Sequence, residues 1–217
     1  MPPAEFVPLA EHTAIIQSLT NYVLDAARAP CRAWRDQGHD IVVAVNISAR
    51  SLHDPTFYGV ITGALERHGV PAELLELEIT ETSIMEDPKG ARDLLVRLHD
   101  LGVQLAVDDF GTGYSSLAYL KTLPVNSLKI DMSFAMNLHE DQSDAVIVQS
   151  VIDLGRNLGM SVVAEGVERA EVIEYLTDAG CQVGQGFYWS KAVPPDELAV
   201  WLAGPVAPAP LALNAPV

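Results

Sequence analysis

A chain of 217 residues, 49% apolar and 19% charged, is the size of one large domain and holds enough apolar material for a sizeable core, which sets aside intrinsic disorder. Thirteen basic against twenty-nine acidic residues give a formal charge of −16, a field that repels DNA, RNA and anionic membranes, so no nucleic-acid polymer is expected as a partner. The longest apolar runs, such as IVVAV at 41–45, fall far short of the roughly 20 residues of a membrane helix, and the opening MPPAEFVPLAEHT lacks the layout of a secretory signal; a cytoplasmic protein without membrane contact is expected.

In chain order, apolar residues at helical spacing (Ile15, Ile16, Leu19, Tyr22, Val23, Ala26) predict a helix over 13–36, and the β-branched run after it a strand over 41–47. A helix at 55–68 and a strand at 74–80 follow, then a helix at 89–101 opened by Asp87-Pro88 and a strand at 103–109. Helices at 115–123, 141–158, 169–179 and 195–202 alternate with strands at 126–131, 161–165 and 182–187, and Gly69 and Gly102 punctuate helix ends. The last fourteen residues, GPVAPAPLALNAPV at 204–217, read as a disordered Pro/Ala-rich tail. Such alternation builds parallel sheet from right-handed βαβ units. Six strands do not close an eight-stranded barrel, so either the sheet is open and doubly wound or roughly two strands at the start are absent.

The strand ends carry the chemistry. Asn46, Glu78, Asp108, Asp109, Lys129, Asp131, Glu165 and Gln185 all fall at or just past the C-terminal end of a predicted strand, the face on which a (β/α) barrel assembles its site. In the strand at 74–80, Leu75, Leu77 and Ile79 alternate with Glu76 and Glu78, and a lumen carboxylate needs a cation or a basic partner to offset desolvation. Taken alone, Glu78 and Glu81 also fit a solvated strand end followed by a capping Glu. Asp108 and Asp109 are the strongest local signal. Adjacent strand side chains point apart, so this pair suits two metals, and the FGTGYSS run beyond it, with Gly111, Thr112 and Gly113, suits a mobile or phosphate-approaching loop. Lys129 and Asp131 are two apart on one strand face; the surrounding acids keep the lysine charged, which favours orienting water or phosphate over Schiff-base chemistry. Glu165 and Glu168 repeat the pattern of a strand-end acid with a helix-capping acid three residues on. Cys31 and Cys181 are far apart in sequence and read as small buried hydrophobes, and the six histidines form no HxH or HxxxH pair.

Together these segments resemble the EAL-domain family of cyclic di-GMP phosphodiesterases: PAEFVPLAE, VNISAR, LEITE, DDFGTGYSSLAYLKTLPVNSLKID, VVAEGVE and GQGFYWSK follow that family's signatures in order. The resemblance implies a TIM-like (β/α) barrel over 1–203 and two divalent cations, Mg²⁺ or Mn²⁺. Asn46, Glu78 and Asp108 would hold the first, with Asp108 bridging to a second held by Asp109 and Glu165. It makes Lys129, Glu165, Asp131 and Gln185 catalytic, with Lys129 orienting the attacking water. Asp131, Gln185 and Glu168 would meet substrate, and Glu81 would brace the loop of Gly111, Thr112 and Gly113. The reaction implied is hydrolysis of cyclic di-GMP to linear pGpG, in a homodimer with an upstream sensory or GGDEF domain. The family's namesake Glu-Ala-Leu lies upstream of PAEF, where this chain begins at Met1; a barrel incomplete at its N-terminus, with six of about eight strands and without that Glu, is therefore expected. Two rivals stand beside this reading: a catalytically impaired EAL domain serving as cyclic di-GMP receptor or protein-interaction module, and an aldolase-like barrel built on Lys129.

Overall fold

The computed structural model describes residues 3–11, 13, 15–112, 117–136, 138 and 142–204. The expected tail, apart from Gly204, and the loop position Gly113 lie outside that set. The chain divides into two compact units, residues 1–106 and 107–217.

The first unit holds α1 (Pro3–Glu11), α2 (Ile15–Asp36), β1 (Val43–Ile47), α3 (Ala49–Leu52), α4 (Phe57–His68), β2 (Leu75–Thr80), α5 (Glu81–Glu86), α6 (Pro88–Asp100) and the start of β3 (Gln104–Phe110). α2 turns a stripe of Ile16, Thr20, Leu24, Arg28, Cys31 and Trp34 inward at helical spacing. That stripe shares the core with Ile61 of α4, Leu75, Leu77 and Ile79 of β2, and Leu95 and Leu98 of α6, all buried. Each such Leu or Ile contributes about 1.5–3 kcal/mol by leaving water. α4 ends at Gly69, whose φ of 59° is the left-handed cap that glycine adopts at least cost. α6 starts as its sequence requires: Asp87 accepts from the Gly90 amide at 3.1 Å and Pro88 fills the first helical position.

The second unit continues β3 and adds α7 (Leu117–Leu120), β4 (Ser127–Ile130), α8 (Met132–Met136), α9 (Gln142–Leu158), β5 (Ser161–Ala164), α10 (Ala170–Ala179), β6 (Val183–Gly184) and α11 (Pro195–Ala203). Leu128, Ile130, Val148, Ile152, Val162, Ala164, Val172 and Leu176 form its buried interior.

The strands follow one order, β1-β2-β3-β4-β5-β6, in a six-stranded sheet. β1 with β2, β4 with β5 and β5 with β6 are parallel, as the strand–helix alternation requires. The expected α/β class and six strands are therefore present, in the expected places. α1, α3, α5 and α8 were not predicted; they are one to two and a half turns long, too short to display a 3.6-residue period. β6 is shorter than the predicted 182–187 because the chain folds back at once. The Tyr188 amide donates to the Val167 carbonyl at 3.0 Å, and a side chain on Gly186 would run into the Val167 backbone. No helix among the described residues is long and apolar enough to cross a membrane.

Candidate active site

In the first unit, Asn46 and Glu78 are register partners on β1 and β2, and the Asn46 amide donates to Glu78 Oε2 at 3.0 Å. Glu78 is buried, opposite in alternation to the apolar Leu75, Leu77 and Ile79 of the same strand. Glu81 opens α5, but the N-cap is Thr80, whose hydroxyl accepts from the Ser83 amide at 3.3 Å. The Oε2 of Glu81 is buried and has no hydrogen-bond partner among the described residues. Beside β1 lies a cavity of about 620 Å³ with largely apolar walls, including Val7, Ile16 and Val23, and with Asn46, Ser48 and Thr80 on its lining.

In the second unit two acids meet one lysine. Lys129, 2% exposed on β4, pairs with Glu165 Oε1, and its Nζ is 3.8 Å from Asp108 Oδ1. The ladder explains the meeting: Ile130 pairs with Ala164, and the Glu165 amide donates to the Ile130 carbonyl at 3.1 Å, which brings Glu165 beside the end of β4. Asp108 is buried at the end of β3 and accepts from the Asp109 amide at 3.0 Å.

Asp109 departs from strand alternation. Its φ of 53° is the only positive value at a non-glycine among the described residues. Asp tolerates this left-handed region better than most residues. Asp109 lies in electrostatic reach of Asp108, Asp131 and Glu165. Burial first, then the neighbouring Asp108 and Asp131 carboxylates, push its pKa up to about 6. Just beyond, Gly111 has a φ of 100° and the Thr112 hydroxyl donates to the Asp109 carbonyl at 2.9 Å.

Asp131 sits one residue past β4 rather than within it, and its Oδ1 accepts from the amide of Ser133 at 2.9 Å and from the Ser133 hydroxyl. Ser133 was not among the predicted site residues; the D-x-S pattern ahead of a short helix was the available signal. Gln185 follows β6 with an exposed side chain and a tied backbone, its amide donating to the Ala164 carbonyl at 2.8 Å and its carbonyl accepting from the Val167 amide at 3.0 Å. Glu168 does not cap α10 as expected: Arg169 is the N-cap residue, and Glu168 is exposed, bordering a small cleft with Met136 and Val172.

The donor set is all oxygen, the preference of hard divalent cations. Asp109 lies in electrostatic reach of three further acids, Asp108, Asp131 and Glu165, which add to burial in raising its pKa. Among the described residues no three His, Cys, Asp or Glu side chains stand close enough to cage an ion as they are. The chemistry of the cluster fits a divalent cation; its present arrangement pairs Asp108 and Glu165 with Lys129.

Comparison with known proteins identifies the family. The signaling protein YkoW of Bacillus subtilis is 38% identical over 196 residues, 90% of this chain and 24% of YkoW. The bifunctional diguanylate cyclase/cyclic di-GMP phosphodiesterase MucR of Pseudomonas aeruginosa is 43% identical over 197 residues, 90% of this chain and 29% of MucR. The chain thus spans about a quarter of the length of these curated relatives. A solved structure of the PaMucR phosphodiesterase in complex with c-di-GMP superposes with a TM-score of 0.89 at 42% identity, covering 91% of this chain and 81% of that one. With the EAL domain family matching residues 1–192, the chain belongs to that family.

Proposed function

We propose that this chain hydrolyses cyclic di-GMP to linear pGpG with the help of two divalent cations, Mg²⁺ or Mn²⁺. The observation that carries the reading is the pairing of Asp108 and Glu165 with Lys129, with Asp109 in electrostatic reach of Asp108, Asp131 and Glu165, in a chain 42% identical to a phosphodiesterase solved with c-di-GMP. Asn46, Glu78, Asp108, Asp109 and Glu165 serve as cation ligands, each offering an oxygen near a strand end. Bound there, divalent cations lower the pKa of water and neutralise phosphate charge.

The chain's own residues supply position and proton handling. Asn46 orients Glu78 through its amide, and Asp109 lies in electrostatic reach of Asp108. Ser133 fixes Asp131, which with Gln185 and Glu168 meets the substrate phosphate or its attacking water. Lys129 carries positive charge to the phosphate, and Glu165 accepts the proton of the attacking water. Glu81, Gly111, Thr112 and Gly113 support the acidic cluster. The apolar cavity beside Asn46 has the size and walls to take a purine base. The protein works as a cytoplasmic homodimer joined to an upstream sensory or GGDEF domain, and residues 1–203 form the phosphodiesterase domain ahead of a Pro/Ala-rich tail.

Incubation of the protein with cyclic di-GMP and Mn²⁺, followed by chromatography, tests this reading. A linear dinucleotide that appears with Mn²⁺ and not with EDTA is expected. Tight nucleotide binding without turnover at any Mn²⁺ or Mg²⁺ concentration would instead make the chain a receptor.

A further inference from the structure

We propose that Lys129 competes with the divalent cation for Glu165 and Asp108, and so sets the cation affinity of the site. The inference rests on the reading that a cation binds there. Its basis is the geometry of β3, β4 and β5: the Lys129 ammonium pairs with Glu165 Oε1 and lies 3.8 Å from Asp108 Oδ1. The lysine side chain is 3% exposed, and those of Asp108 and Glu165 are 11% and 20% exposed, so little water stands ready to replace one partner when the other leaves.

A carboxylate lone pair committed to an ammonium is not available to a metal ion, and a hard cation demands that lone pair. Cation binding at Glu165 is therefore an exchange rather than an addition. The incoming ion takes over the charge that the ammonium neutralised, and the flexible lysine stem swings its head aside. The cost of removing that ammonium from the buried Asp108 and the half-buried Glu165 is subtracted from the cation's affinity. The same exchange would release Lys129 only once a cation is in place. A lysine whose sole task were to steady phosphate would have no reason to be engaged with proposed ligands of the ion.

Calorimetric titration of Mn²⁺ into protein first stripped with EDTA and then freed of chelator tests the exchange, on the parent and on Lys129→Met and Lys129→Gln. Both variants should bind Mn²⁺ about 10- to 100-fold more tightly, the scale of losing one charge-assisted hydrogen bond that opposes the ion. Melting supplies the second readout. Without Mn²⁺ the variants should melt below the parent, because Glu165 and Asp108 lose their counter-charge; saturating Mn²⁺ should close that gap. A simple packing defect would leave it open. Variants that fold only when Mn²⁺ is present also support the exchange. A parent that binds Mn²⁺ with folded variants that bind no more tightly overturns the competition alone. Parent and variants that all fail to bind Mn²⁺ overturn the competition and the cation reading together.

Discussion

Asn46 and Glu78 stand opposite each other in the β1–β2 ladder, and the amide of one donates to the carboxylate of the other at 3.0 Å. The amide therefore tolerates a buried carboxylate where a second acid would repel it. Asn46→Ala should lower stability by about 1 kcal/mol, the usual cost of one such bond. Asn46→Asp should cost more at pH 8, because two facing carboxylates raise each other's pKa, and that penalty is lost as pH falls through the raised values toward 4. Thermal melts of both variants across this range check the order and its pH dependence.

Asp109 gives a second pH signature. Its folded pKa, about 6, lies above the ordinary carboxylate value, so the folded chain holds a proton there that the unfolded chain has released. The contribution favours folding below pH 4 and is lost as pH rises through 6. With chelator present, Asp109→Asn should therefore melt above the parent at pH 8 and match it near pH 4. The gain is on the order of 1 kcal/mol once solvent screening of a partly exposed group is allowed for. Saturating Mn²⁺ should reverse the ranking at pH 8, since the ion needs the carboxylate. Melts at pH 8 run once with chelator and once with saturating Mn²⁺ separate the two effects.

Arg28 is 1% exposed, and none of its three guanidinium nitrogens has a hydrogen-bond partner among the described residues. Burial lowers its pKa, the sign of an unfavourable environment for charge. Arg28→Met keeps the stem and removes the charge, and should raise stability by roughly 1–3 kcal/mol with cyclic di-GMP turnover unchanged. Denaturant titration gives the answer directly; a drop in stability would show that the guanidinium is paired after all.

The sequence carried the architecture well because its strands are apolar runs ended by polar residues and its long helices are strongly amphipathic; β2, with Leu75, Leu77 and Ile79 against Glu78, and α2, with its stripe through Leu24 and Cys31, are examples. The strand-end acids were legible for the same reason. What it could not show was local backbone. Strand alternation gives no sign of the positive φ at Asp109, which departs from it. Nor does the sequence reveal that Lys129 would choose Glu165 as its ion-pair partner, because that depends on the β4–β5 register. Arg28 was visible only as a helical-spacing neighbour of Leu24 and Cys31, and charge argued against burying it.

Both cysteines are free and buried, and burial pushes the Cys181 thiol up to about 11. Neither should react with a thiol-specific disulfide reagent in the folded protein at pH 8, because reaction needs an accessible thiolate. Two thiols should titrate after denaturation. Fast labelling of the native chain would show that one of these sites opens.

The acids at the ends of β3 and β5 are proposed to carry cation-dependent hydrolysis. The rate of linear dinucleotide formation from cyclic di-GMP at saturating Mn²⁺, parent against Asp108→Asn, reads this out. Asp108 is the buried acid beside both Lys129 and Asp109, and losing one of its oxygens should slow turnover by roughly 10²–10³-fold, the scale seen when one preorganised electrostatic group is removed from a site. A folded Asp108→Asn protein that forms the product at the parent's rate would place the chemistry outside these acids.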